Sequence, residues 1–157
     1  TMIGSSWPDS RFDLVTFWSA LEHTNEPRTN LQKARSLLKE GGTLVVQLPN
    51  VASYQARLFA GDWVGLDAPR HRYHFTLPVL QRLLSETGFE VYRSTYFSKA
   101  HNSHALRQSL KVKLGMNDTS APNLARFFLS LALVKPIDSA MTVFGRGATL
   151  TVAAKAV

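Results

Sequence analysis

Phe12-Asp13-Leu14-Val15-Thr16-Phe17-Trp18 decides the fold, read with the helical pattern over 27–39 and the second apolar run Thr43-Leu44-Val45-Val46-Gln47-Leu48. The first run is short, apolar and rich in β-formers, with Pro8 and Asp9 ahead of it. It reads as a strand buried on both faces, as in a parallel sheet. In the helix, Pro27 suits the first turn, with Asn25 or Glu26 before it. Leu31, Ala34, Leu37 and Leu38 supply the apolar stripe, and Gly41-Gly42 is expected to stop it. Pro49-Asn50 ends the second run. Strand, helix and strand with short links form a βαβ unit, so the two strands should run parallel.

Downstream, the pattern predicts a short helix over 51–60 and then an aperiodic loop over 61–73. Thr76 should cap a helix carrying Leu77, Leu80, Leu83 and Leu84 on one face. A third strand follows over 89–97 and a more polar helix over 104–114, with Leu106, Leu110 and Leu114 four residues apart. A loop spans 116–122. Two apolar helices, 123–135 and 137–144, should be separated at Pro136. Gly145-Arg146-Gly147 turns the chain into a final strand over 148–154. The class is α/β, and residues 1–157 read as a single domain.

Composition narrows the function. The chain has 157 residues, 45% of them hydrophobic, with a mean hydropathy of −0.08, which excludes an unstructured polymer. It has no cysteine, so disulfides, thiolate metal sites and Cys nucleophiles are excluded. No apolar run approaches the ~20 residues that span a bilayer, and no signal peptide is visible, so a cytoplasmic protein is expected. The net charge of +7 is uneven, −1 over residues 1–69 and +8 over 70–157. A basic half can attract polyanions, but these cations are dispersed, and no specific nucleic-acid binding is expected.

Two segments carry chemistry. Trp18-Ser19-Ala20-Leu21-Glu22-His23 leaves the first strand, and open α/β sheets bind ligands beyond the carboxyl ends of their strands. On residue type alone, Glu22 and His23 could equally hydrogen-bond locally near the helix start. Asp67-Ala68-Pro69-Arg70-His71-Arg72-Tyr73-His74-Phe75 gathers two imidazoles, two guanidiniums and a phenol. An imidazole titrates near neutrality and suits a general base, and Arg70 and Arg72 could hold a carboxylate or phosphate. Alternatively, His74 caps the next helix while Tyr73 and Phe75 fill the core. No metal site is expected, because the His71/His74 and His101/His104 pairs lack a carboxylate third ligand.

Together, Phe12-Asp13-Leu14-Val15, Leu21-Glu22-His23, Glu26-Pro27, Leu37 to Leu44 and Leu48-Pro49-Asn50 resemble the second half of a class I S-adenosylmethionine-dependent methyltransferase. Pro69-Arg70-His71, His74-Phe75-Thr76 and Gly88-Phe89-Glu90 are similar to its type 23 branch. The resemblance implies a Rossmann-like sheet whose four strands correspond to the family's 4-5-7-6, the last antiparallel, with the three preceding cofactor-binding strands absent from the chain. It implies S-adenosylmethionine as cofactor, with Trp18, Ser19, Ala20, Glu22 and His23 on the cofactor side. His71 or His74 would serve as catalytic base, and Arg70 would orient the acceptor, a small molecule or a glycan or lipid intermediate. With half the pocket missing, the isolated chain is expected to be inactive and to bind cofactor weakly.

Without the preceding strands, Phe12–Trp18 would be an apolar edge with unpaired N–H and C=O groups. A homodimer through this edge, or cover from residues 1–10, is therefore expected. The alternative function is a non-catalytic binding or oligomerisation module, with the basic C-terminal half or the apolar residues 124–134 as its interface.

Overall fold

The computed structural model describes residues 9, 11–116 and 121–157. They form two compact units, one comprising the described residues up to 48 with 69–95 and 150–157, the other 49–68 and 96–149.

The first unit holds the sheet. Strand β1 is Phe12–Trp18, helix α1 Pro27–Leu37, strand β2 Leu38–Pro49, helix α3 Leu77–Ser85, strand β3 Phe89–Thr95 and strand β4 Thr149–Ala156; α2 belongs to the other unit. The order across the sheet is β1-β2-β4-β3, the one the resemblance implies. β1 and β2 run parallel, with Val15 opposite Leu44 and Phe17 opposite Val46. A parallel pair needs a crossover, which α1 supplies. β3 and β4 run antiparallel, Glu90 opposite Lys155 and Ser94 opposite Val152. Gln47 donates to Thr151 Oγ1 at 3.2 Å, while Lys155 donates to Thr43 Oγ1 at 3.1 Å. Residue numbers therefore run in opposite senses along β2 and β4, which makes that pair antiparallel too.

α1 begins at Pro27, whose missing N–H would have had no helical partner, and the Asn30 side chain donates to the Glu26 carbonyl at 2.8 Å. Leu31, Ala34, Leu37 and Leu38 are all buried. The glycine pair does not stop the helix. α1 ends at Leu37, Leu38 is already extended, and Gly41 and Gly42 lie within β2. Between Phe12↔Leu38 and Leu14↔Thr43, β2 advances five residues while β1 advances two. Gly41, at φ +67°, makes this bulge possible, because an L side chain is crowded in that region.

β1 is parallel as expected but not buried on both faces. Phe17 is buried, whereas Leu14 and Trp18 are 53% and 55% exposed. The reason is position, since β1 is the outer strand and β2 is its only partner among the described residues. The expected cover from residues 1–10 lies, apart from Asp9, outside the described residues. α3 packs on β3, and its Leu80 and Leu84 are buried. Thr76 occupies its N-cap position without a side-chain cap bond. β3 ends at Thr95, two residues short of the expected Phe97.

The second unit contains α2 (Tyr54–Phe59), α4 (Lys99–Lys113) and α5 (Ala121–Val143). Its core is Phe59, Trp63, Leu106, Leu110 and Phe127. Ser53 caps α2 by accepting from the Ala56 N–H at 3.0 Å, and Ser98 caps α4. Pro136 does not divide the last helical segment, because α5 runs through it. Proline removes one backbone donor and crowds one carbonyl, and the helical turns on either side carry the remaining bonds. Phe128, Leu129, Leu133 and Ile137 on α5 are exposed. Among the described residues, no helix is long and apolar enough to cross a membrane.

Candidate active site

The site begins where β1 ends. The Ser19 N–H donates to the Gln47 carbonyl at 2.9 Å, carrying the β1–β2 ladder one residue past Trp18. Ser19 then turns the chain with φ +45°, a strained conformation for a residue with a Cβ. A 3₁₀ turn over Leu21–His23 follows. Leu21 is fully buried, and the turn carries Glu22 inward with it, leaving that residue 1% exposed.

The second segment is stitched onto this turn. The Arg72 and Tyr73 N–H groups donate to the Glu22 carbonyl at 2.9 and 3.3 Å. The Tyr73 hydroxyl donates to the Asn25 carbonyl at 3.0 Å, and His23 Nδ1 donates to the Arg70 carbonyl at 3.0 Å. Buried Phe75 anchors the far end of the segment. These bonds gather Glu22, His23, Arg70, His71 and His74 in one place. His71 Nε2 lies 4.0 Å from Glu22 Oε1. The His23 and His71 rings are 4.6 Å apart between centroids, and His71 and His74 are 6.4 Å apart.

Three readings of these residues change. Glu22 and His23 do not bond each other locally, since His23 reaches across to Arg70. Tyr73 does not fill the core, being 41% exposed and held by its hydroxyl. His71 has a carboxylate neighbour after all, because Glu22, far away in sequence, lies 4.0 Å from its Nε2. Residue type and the place of Leu21-Glu22-His23 after a strand marked Glu22 as important, but its pairing with His71 depends on the chain's return. His101 sits instead at the α4 cap with Ser98, Oγ to Nδ1 2.9 Å.

Neither Glu22 carboxylate oxygen has a hydrogen-bond partner. Burial raises its pKa above the ordinary glutamate value, offset in part by its own backbone amide and by the His71 and His23 imidazoles. Such a carboxylate attracts a proton or a cation. Glu22, His23 and His71 each place one ligand atom within 4.8 Å of the others.

Trp18, Ser19 and Ala20, the residues expected on the cofactor side, stand at this strand end, where Trp18 is half-exposed and the Ser19 amide is bonded to the Gln47 carbonyl. Among the described residues, no glycine-rich turn of the kind that cradles a nucleotide follows a parallel strand.

The family described as Methyltransferase domain matches residues 4–94, more than half of the chain. No curated protein matches it in sequence. Solved structures with a similar fold include a SAM-dependent methyltransferase from Thermotoga maritima (14% identity, TM-score 0.58, covering 100% of this chain and 62% of that one). A SAM-dependent methyltransferase from Archaeoglobus fulgidus is also similar, at 16% identity and TM-score 0.55, covering 96% of this chain and 62% of that one. The 4+2 cyclase SpnF is similar at 18% identity and TM-score 0.59, covering 99% of this chain and 53% of that one. The chain thus spans between half and two thirds of the length of these structures. The cyclase carries other chemistry on the same fold, so at such identities the likeness speaks for architecture alone. The family match and the sheet order agree, and the chain belongs to the methyltransferase-domain family.

Proposed function

We propose that this chain is the acceptor-side portion of an S-adenosylmethionine-dependent methyltransferase. Its substrate would be an O, N or C nucleophile on a small molecule or a glycan or lipid intermediate in the cytoplasm. The observation that carries this reading is the buried, unpartnered Glu22 carboxylate facing His71 beyond the carboxyl end of the first parallel strand. S-adenosylmethionine, when bound, supplies an electrophilic methyl group.

The chain's own residues position the acceptor and accept its proton. Of the two candidate bases, His74 fits better. It is exposed and can pass a proton to water, whereas the His71 side chain is 10% exposed and turned toward Glu22. Arg70, exposed on the same segment, would orient an anionic or hydroxylated acceptor. Ser19, Ala20 and Trp18 would form one wall of the donor site. Completion of that site requires strands beyond those described, so the chain alone is expected to bind the donor weakly.

The test is methyl transfer from labelled S-adenosylmethionine by the intact protein that carries this chain, across hydroxyl, amine and carbon acceptors. His74→Asn should lower turnover by ~10²-fold or more, the usual worth of a positioned base, with donor affinity unchanged. Equal loss of turnover and donor affinity would make His74 structural. Failure of the intact protein to bind the donor in calorimetry would overturn the reading.

A further inference from the structure

We propose that Glu22, His23 and His71 form a binding site for a divalent first-row transition-metal ion of the zinc or cobalt kind. The donor set is two imidazoles and one carboxylate, with each residue offering an atom within 4.8 Å of the others. Around a common ion at ~2.0–2.2 Å, tetrahedral ligand atoms stand ~3.5 Å apart. Side-chain movements of about an ångström would therefore close the cluster on an ion. The His71 Nε2 to Glu22 Oε1 separation of 4.0 Å is too long for a hydrogen bond, yet it suits two ligands on either side of a cation.

Two independent features support this assignment. Both Glu22 oxygens are buried without a hydrogen-bond partner, and a buried carboxylate is costly unless a cation or donor meets it. The second feature is the His23 ring. Its Nδ1–H donates to the Arg70 carbonyl, which leaves Nε2 as the ring nitrogen available to an ion. A metal-ligating histidine typically hands its other ring proton to a backbone carbonyl in this way. A predominance of imidazole favours a transition-metal ion over magnesium or calcium, which prefer all-oxygen shells.

Three protein ligands leave a coordination position open, as in catalytic rather than structural zinc sites. On the methyl-transfer reading above, and only for the identity of this last ligand, that position suits a hydroxyl or carboxylate oxygen of the acceptor. A bound cation lowers the pKa of such a hydroxyl. The ion would hold His71, which is consistent with assigning the proton to His74.

The test is metal binding by the chain itself, independent of any transferase assay. Co²⁺ is titrated into chelator-stripped protein, following visible absorption and calorimetry, with Zn²⁺ as competitor. One ion per chain is expected, displaced by Zn²⁺. Glu22→Gln, His23→Asn and His71→Asn should each weaken Co²⁺ by more than the ~10–100-fold that loss of a merely supporting partner costs. His104→Asn, an exposed histidine on α4, should bind like the parent. Circular dichroism verifies that each variant is folded. No saturable binding up to millimolar Co²⁺, parental affinity in the three variants, or equal weakening by His104→Asn would each overturn the site. Methyl transfer that needs no metal would leave the enzymatic reading standing without this one.

Discussion

Replacing Glu22 by glutamine should stabilise the metal-free protein at neutral and alkaline pH. The residue is 1% exposed and neither oxygen is bonded, so its ionised form suffers desolvation with incomplete compensation. An unpaired buried charge costs several kcal/mol, while a buried amide with unmet groups costs about 1–3 kcal/mol. The exchange should therefore gain about 2 kcal/mol. For a chain of this length that corresponds to a rise in Tm of ~4–8 °C. The sign with pH follows from the direction of the shift. Burial raises the Glu22 pKa above 4.5, so the folded state holds this proton more tightly than the unfolded state. The resulting stability is fully present below the ordinary value and is lost as pH rises through the folded value. Glutamine does not titrate, so the advantage of Glu22→Gln should be smallest near pH 4 and largest at pH 8. Thermal unfolding of both proteins in a chelating buffer at the two pH values measures it. A variant less stable than the parent at pH 8, or a gap independent of pH, would refute the argument that Glu22 is desolvated and unpaired.

Three further outcomes are expected. Gly41→Ala should cost about 1–2 kcal/mol in chemical denaturation, because its Cβ meets nothing within 4 Å and only the φ of +67° opposes it. Gly42→Ala should cost more, since its Cβ would stand 2.8 Å from the Lys39 carbonyl oxygen. The open edge of β1, with Leu14 and Trp18 exposed, should pair with a second copy or with strand from outside the described residues. A monodisperse monomer in light scattering with fast amide exchange along Phe12–Trp18 would refute that.

Periodicity and turn chemistry alone determined the α/β class, the parallel β1–β2 pair and the apolar stripe Leu31, Ala34, Leu37 and Leu38. These depend on neighbours a few residues apart, which a linear pattern records directly. Where local rules compete with the surroundings, the pattern misled. Gly41-Gly42 looks like a helix stop because glycine tolerates left-handed backbone, yet the same tolerance accommodates a bulge, and pairing with β1 selects the bulge. Pro136 looks like a boundary, but flanking helical bonds outweigh the few interactions it removes. At the site, Leu21-Glu22-His23 and the Arg70–His74 segment each stand out by residue type. Only the folded chain joins them, because the contacts between Glu22 and His71 and between His23 and the Arg70 carbonyl each span nearly fifty residues. A carboxylate's charge is written in the sequence. Whether that charge lies in water or beneath two imidazoles is decided by what the returning chain places over it.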